Sequence, residues 1–119
     1  MSEGSLIETQ EIDGIVEATL MCSRILDEPT IQVIGDALQA AIADREDPQM
    51  ILDFSHVEHL SSSALGMLIS LNNRIREAGG GLCLSAIDSR ILDVFRITKL
   101  DRLLDIFEST VDARNAARG

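Results

Sequence analysis

Hydrophobic positions along the chain change period several times, and each change marks an element. Leu6, Ile7 and Ile12, then Ile15, Val16, Ala18 and Leu20, form two strand-like runs around Asp13-Gly14. Asp-Gly between two apolar runs signals a hairpin. Residues 21–26 leave this hairpin, and Asp27-Glu28-Pro29 opens a helix, since proline suits a first turn whose N–H groups are unpaired in any case. Ile31, Ile34, Leu38, Ala41 and Ile42 recur at helical spacing toward a core, while Gln32, Asp36, Gln39 and Asp44 face water. Met50, Ile51, Leu52 and Phe54 then form a short, nearly continuous apolar run of the kind a buried strand shows. Beyond three serines, Ala64, Leu68, Leu71, Ile75 and Ala78 fall on one helical face, which ends before Gly79-Gly80-Gly81.

The second half repeats the alternation. Residues 82–86 read as a strand. Asp88 and Ser89 offer an N-cap for a helix with Ile91, Leu92, Val94 and Phe95 inward, and Arg96 and Lys99 stand near its C-terminal end, where the dipole favours positive charge. Leu103, Leu104, Ile106 and Phe107 predict a last strand, and Ser109-Thr110-Val111-Asp112 resembles a capping box that starts a small C-terminal helix. This order predicts an α/β domain: a mixed, mostly parallel sheet with an N-terminal antiparallel hairpin at its edge and about four helices. The 119 residues fit one domain, 1–119, with no internal repeat or linker.

Ser61-Ser62-Ser63 lies at the junction between the central strand and its helix. A first helical turn exposes unpaired N–H groups and the positive end of the macrodipole, so a serine hydroxyl there can cap the helix or carry a phosphate. The glycine triplet is no phosphate cradle. It follows a helix and precedes a strand, whereas a cradle joins strand to helix and ends in Gly-Lys-Ser/Thr.

Composition narrows the function. Forty-five per cent hydrophobic residues support a packed core. No apolar run reaches the roughly 20 residues of a spanning helix, and the N-terminus lacks the basic-then-apolar order of a leader, so a cytoplasmic protein with no membrane role is expected. The net charge of −10 repels phosphate backbones, and without Tyr, Trp or a basic stripe no direct nucleic-acid contact is expected. Cys22 and Cys83 read as small buried thiols, and His56 and His59 as solvated loop residues, so neither a metal nor another cofactor is expected. The histidines precede the serines on the same loop without an oxyanion hole or nucleophile elbow, which leaves no catalytic constellation and argues against an enzyme.

One motif is more specific. Asp53-Phe54-Ser55-His56-Val57, three residues, then Ser61-Ser62-Ser63-Ala64-Leu65-Gly66 resembles, without a gap, the D-L-S-x-V-x-x-x-D-S-S-G-L-G signature of the STAS domain in its anti-sigma factor antagonist branch. Ser61 stands where the family has aspartate and Ala64 where it has glycine. Arg24-Ile25-Leu26-Asp27 is similar to the family's G-x-L-D element, and Phe95, Thr98, Leu100 and Leu104 to its tail, with Lys99 at a usual glycine. The resemblance covers about residues 10–113. It implies a STAS-like fold, phosphorylation of Ser62 by a partner kinase, and a partner-binding surface around Asp27, Asp53, Ser55, Ser61, Ser63, Ala64, Leu65 and Gly66. The implied partner is an anti-sigma factor with serine kinase activity, which the unmodified protein would occupy to release a sigma factor. A STAS module that is never phosphorylated, serving as scaffold in a signalling or transport complex, is the alternative.

Overall fold

The computed structural model describes residues 6–117. β1 (Ile7–Ile12) and β2 (Ile15–Leu20) form the expected antiparallel hairpin, with Asp13 and Gly14 at positive φ in its turn. β4 (Gln49–Asp53) lies parallel to β2, β6 (Gly81–Ser85) parallel to β4, and β7 (Asp105–Phe107) parallel to β6. The five-stranded sheet therefore runs β1-β2-β4-β6-β7, with the hairpin at one edge.

Side chains alternate across this sheet, so each strand feeds two layers. Met50 and Leu52 of β4, Val16 and Ala18 of β2 and Leu82 and Leu84 of β6 face α1 (Glu28–Ile42), α2 (Ser62–Glu77) and α3 (Ser89–Ile97), where Ile34, Leu38, Leu68, Leu71, Ile75 and Phe95 complete the main core. Ile15 and Ile51 face the other way, onto Ala113 of α4 (Thr110–Ala117), beside Cys83 and Phe107. The central strand is thus covered on both sides, which is why its apolar run is continuous.

Charge enters the second layer through Glu17. Its carboxylate is buried under α4 and accepts from the Arg114 guanidinium through Nε and, at 2.9 Å, Nη2. The hydrogen bond to Glu17 pushes the Arg114 pKa up.

Several expectations change. The last strand starts at Asp105, not Leu103, because Leu103 and Leu104 close a 3-10 turn begun at Leu100–Arg102. That turn begins at Lys99, with φ 63°, a left-handed conformation that suits the glycine usual in the family better than lysine. Val94 points to solvent instead of inward, and Ala78 is the exposed C-cap of α2, its place on the helix face ending with the helix. Cys22 and Cys83 are free and only partly buried. Finally, residues 21–26 and the loop before the serines, taken as connections, contain β3 (Arg24–Ile25) and β5 (His59–Leu60), which pair in parallel as a separate two-stranded sheet.

Candidate functional site

The small β3·β5 sheet assembles the site. Arg24 pairs with His59 and Ile25 with Leu60, and the Ser61 N–H donates to the Ile25 carbonyl at 3.1 Å. One residue beyond β5 the chain reaches the cap of α2, and two beyond β3 it reaches the cap of α1. Two helix N-termini therefore start side by side.

Each has its own cap. Asp27 accepts from the Thr30 N–H at 3.0 Å and from the Thr30 hydroxyl at 2.9 Å. The backbone and side-chain hydrogen bonds from Thr30 hold its carboxyl below the usual range, so Asp27 is a fixed negative charge. At α2 the cap is Ser61, whose Oγ accepts from the Ala64 N–H at 3.2 Å. Ser61 thus performs, without charge, the capping that an aspartate could supply. Its replacement by alanine should lower unfolding stability by about 1 kcal/mol, while Ser62→Ala should change it by less than about 0.5 kcal/mol. Urea unfolding of the two variants checks the division of labour.

Ser62 and Ser63 are the first residues inside α2, and both are exposed. The first turn of α2 holds no acidic residue, so its positive end has no side-chain carboxylate of its own. Among the described residues the Ser62 hydroxyl enters no hydrogen bond. A phosphoryl group there would meet the dipole favourably on its own helix and stand near the charge of Asp27 on the next.

The expected partner-binding residues divide. Asp27, Ser61, Ser63 and Gly66 gather with Ser62 around the paired helix starts, and Leu65, 8% exposed, shows a small part of its side chain. Ala64 does not join them: it is fully buried and serves the core. Nor does Asp53, which faces the α4 layer. Its Oδ1 accepts from the Ser55 N–H at 2.8 Å and its Oδ2 from the Thr110 hydroxyl at 2.9 Å, while the Ser85 Oγ lies 2.8 Å from Thr110. Ser55 itself is exposed on the turn that Asp53 ties down.

Burial alone would raise the Asp53 pKa, but the hydrogen bonds from Ser55 and Thr110, with the nearby His56, outweigh it and hold it low. A carboxylate depressed in the folded state stabilises the fold above its unfolded pKa of about 3.9, and that contribution is lost as the pH falls through the lower folded value. Thr110→Val should therefore lower stability by roughly 1–2 kcal/mol at pH 7. The loss should shrink as the pH falls from 7 through the lowered folded pKa of Asp53, and urea unfolding along an acid pH series reads the difference.

No group of three or more His, Cys, Asp or Glu suited to hold a metal occurs among the described residues, and no described helix is long and apolar enough to cross a membrane. Beside the serines lies a cleft of about 250 Å³ between β5, the first turn of α2 and α3, lined by Glu58, His59, Leu60, Leu65, Arg90, Ile91 and Val94. The sequence placed Val94 inward and so concealed it. Val94 follows Ile91 at helical spacing, so the apolar pattern shows no break there, and only the packing of α3 reveals that this side is left open.

Sequence comparison matches residues 7–113 to the model of the STAS domain. The chain belongs to the STAS domain family. A Thermotoga neapolitana protein, by name an anti-sigma factor antagonist homologue, is 28% identical over 71 residues, or 60% of this STAS domain and 63% of that relative's length. In structure, an anti-sigma factor antagonist (STAS) domain protein of Planctomyces limnophilus superimposes with a TM-score of 0.87 at 19% identity, over 95% of this chain and 98% of that one. The phosphorylated form of the Bacillus cell fate determinant SpoIIAA superimposes at 0.66 and 17% identity, over 92% and 97%. These superpositions show the common STAS fold, with its mixed sheet and antiparallel β1-β2 pair.

Proposed function

We propose that this STAS domain is an anti-sigma factor antagonist: unmodified, it docks on an anti-sigma factor and frees a sigma factor, and phosphorylation of Ser62 by that partner ends the contact. The observation that carries this reading is the position of Ser62. Ser61 already caps α2, so the exposed Ser62 hydroxyl is left without a structural task at the centre of the surface formed by the two helix starts. A phosphate there adds about −1.5 to −2 charges beside the Asp27 carboxylate, on a chain whose net charge is already −10. Asp27, Ser61, Ser63 and Gly66 form the rest of the contact surface in this reading. Asp53 and Ser55 act behind it by setting the turn that leads to β5. The relative that shares the antagonist name and the SpoIIAA structure, which exists in a phosphorylated form, both support it.

The test is to capture the tagged protein from its own cells during growth and under stress, then identify phosphosites and bound proteins in one mass-spectrometry run. Phosphate on Ser62, with a kinase-like anti-sigma factor present only in the unphosphorylated pool, is the expected result. Serines unmodified in every condition, with a transport or scaffold complex attached, would overturn the proposal.

A further inference from the structure

The cleft beside the serines is unused by the phosphorylation switch itself. Its walls are Leu60 of β5, Leu65 of α2 and Ile91 and Val94 of α3. Ile91 forms the floor at 5% exposure, whereas Val94 is 42% exposed and Ile97, one turn further along α3, is 79% exposed. Exposed apolar residues scattered singly need no explanation, but Val94 lines a preformed hollow. At about 250 Å³ the hollow falls below the size typical of small-molecule sites and suits an inserted side chain.

Its rim is charged unevenly. Arg90 is already answered by Asp88, at 3.3 Å. Glu58 lies close enough to act on Arg90 electrostatically, yet among the described residues no cation approaches its carboxylate within 4 Å. A negative group at the mouth of an apolar hollow, on a chain of net charge −10, complements a cation followed by a large apolar side chain. The hollow also adjoins the switch: Leu65 stands three residues after Ser62, one turn along the same side of α2.

We propose that this cleft is a second contact point for the anti-sigma partner, seating one large aliphatic or aromatic side chain of that protein while a neighbouring lysine or arginine meets Glu58. The inference rests on the antagonist reading. Ser62 then makes the contact switchable, and the Leu65–Val94 cleft supplies the apolar anchor that small polar serines cannot. Because the anchor is apolar, its contribution resists salt, whereas the contribution of Glu58 is screened.

The probe is the kinase-like anti-sigma factor that co-purifies with the unmodified protein, expressed alone and titrated by calorimetry against wild type, Val94→Asp, Glu58→Lys and Ser62→Asp. Val94→Asp changes an exposed position, and its melting curve verifies the fold; Val33→Asp on α1, 54% exposed, controls for added charge elsewhere. The cleft predicts that Val94→Asp weakens binding by about tenfold or more at low and high salt. Glu58→Lys should weaken it mainly at low salt, and Val33→Asp by much less than Val94→Asp. Wild-type affinity in both Val94→Asp and Glu58→Lys, with Ser62→Asp still disruptive, would overturn the cleft and leave the switch standing. Failure of wild type itself to bind, or indifference to Ser62→Asp, would overturn the antagonist reading and the cleft with it.

Discussion

Ser62→Asp is expected to weaken binding to the anti-sigma factor by roughly 100-fold, whereas Ser62→Ala should leave it within about threefold. The asymmetry follows from the location of Ser62. Its hydroxyl has no hydrogen bond within the described residues and no capping task, so truncation removes little. A carboxylate adds a charge that must be desolvated when the helix starts are covered, next to Asp27, which is itself held ionised by Thr30. Unfolding will not explain the loss, because an acidic residue in the first turn of α2 interacts favourably with the dipole. The melting temperature of Ser62→Asp should equal or slightly exceed that of wild type. Calorimetric titration read beside thermal unfolding checks both parts, and equal affinity for the two variants would refute the switch.

Gly80→Ala should be the most destabilising glycine-to-alanine change among the described residues. A Cβ on Gly80 would lie 1.8 Å from the Pro48 carbonyl oxygen, a backbone atom held by its own bond from the Gly81 N–H at 3.0 Å. Neither neighbour can move alone, since β4 and β6 begin their parallel pairing at Gln49 and Gly81. The strain should cost about 3 kcal/mol and lower the melting temperature by roughly 10 °C or more. Gly66→Ala is the control, since no atom lies within 4 Å of its added Cβ and the helix gains propensity. If Gly80→Ala melts with wild type, the close approach of these strand starts is not what orders β4 against β6.

The glycine triplet illustrates what sequence conveys about this fold and how. Its place after a helix and before a strand excluded a phosphate cradle, and Gly79, at φ 87°, does terminate α2. That Gly80 must be glycine because Pro48 passes beside it depends on two segments 32 residues apart, which no local pattern encodes. The same contrast holds at the site. Alternation and helical spacing were enough for the sheet, its hairpin edge and the helices, because burying one face fixes a period in the sequence. The signature from Asp53 to Gly66 was enough to mark the serines, because capping and phosphate tolerance depend on a helix start that the sequence announces.

The division of labour among those residues came only with the tertiary structure. β3 and β5 are two residues each, too short to show any period, yet their pairing brings Asp27 beside Ser61 and Ser62. Asp53 and Ala64 belong to the same signature as Ser62, but strand alternation turns Asp53 toward Thr110 and helix packing buries Ala64. Val94 continues the apolar pattern of α3 and nevertheless opens onto a cleft beside Leu65. Local periodicity records that a residue is apolar and which face of its element it occupies. Which neighbour that face meets is set by packing between distant segments, and at this site that packing decides whether a residue supports the fold or remains exposed.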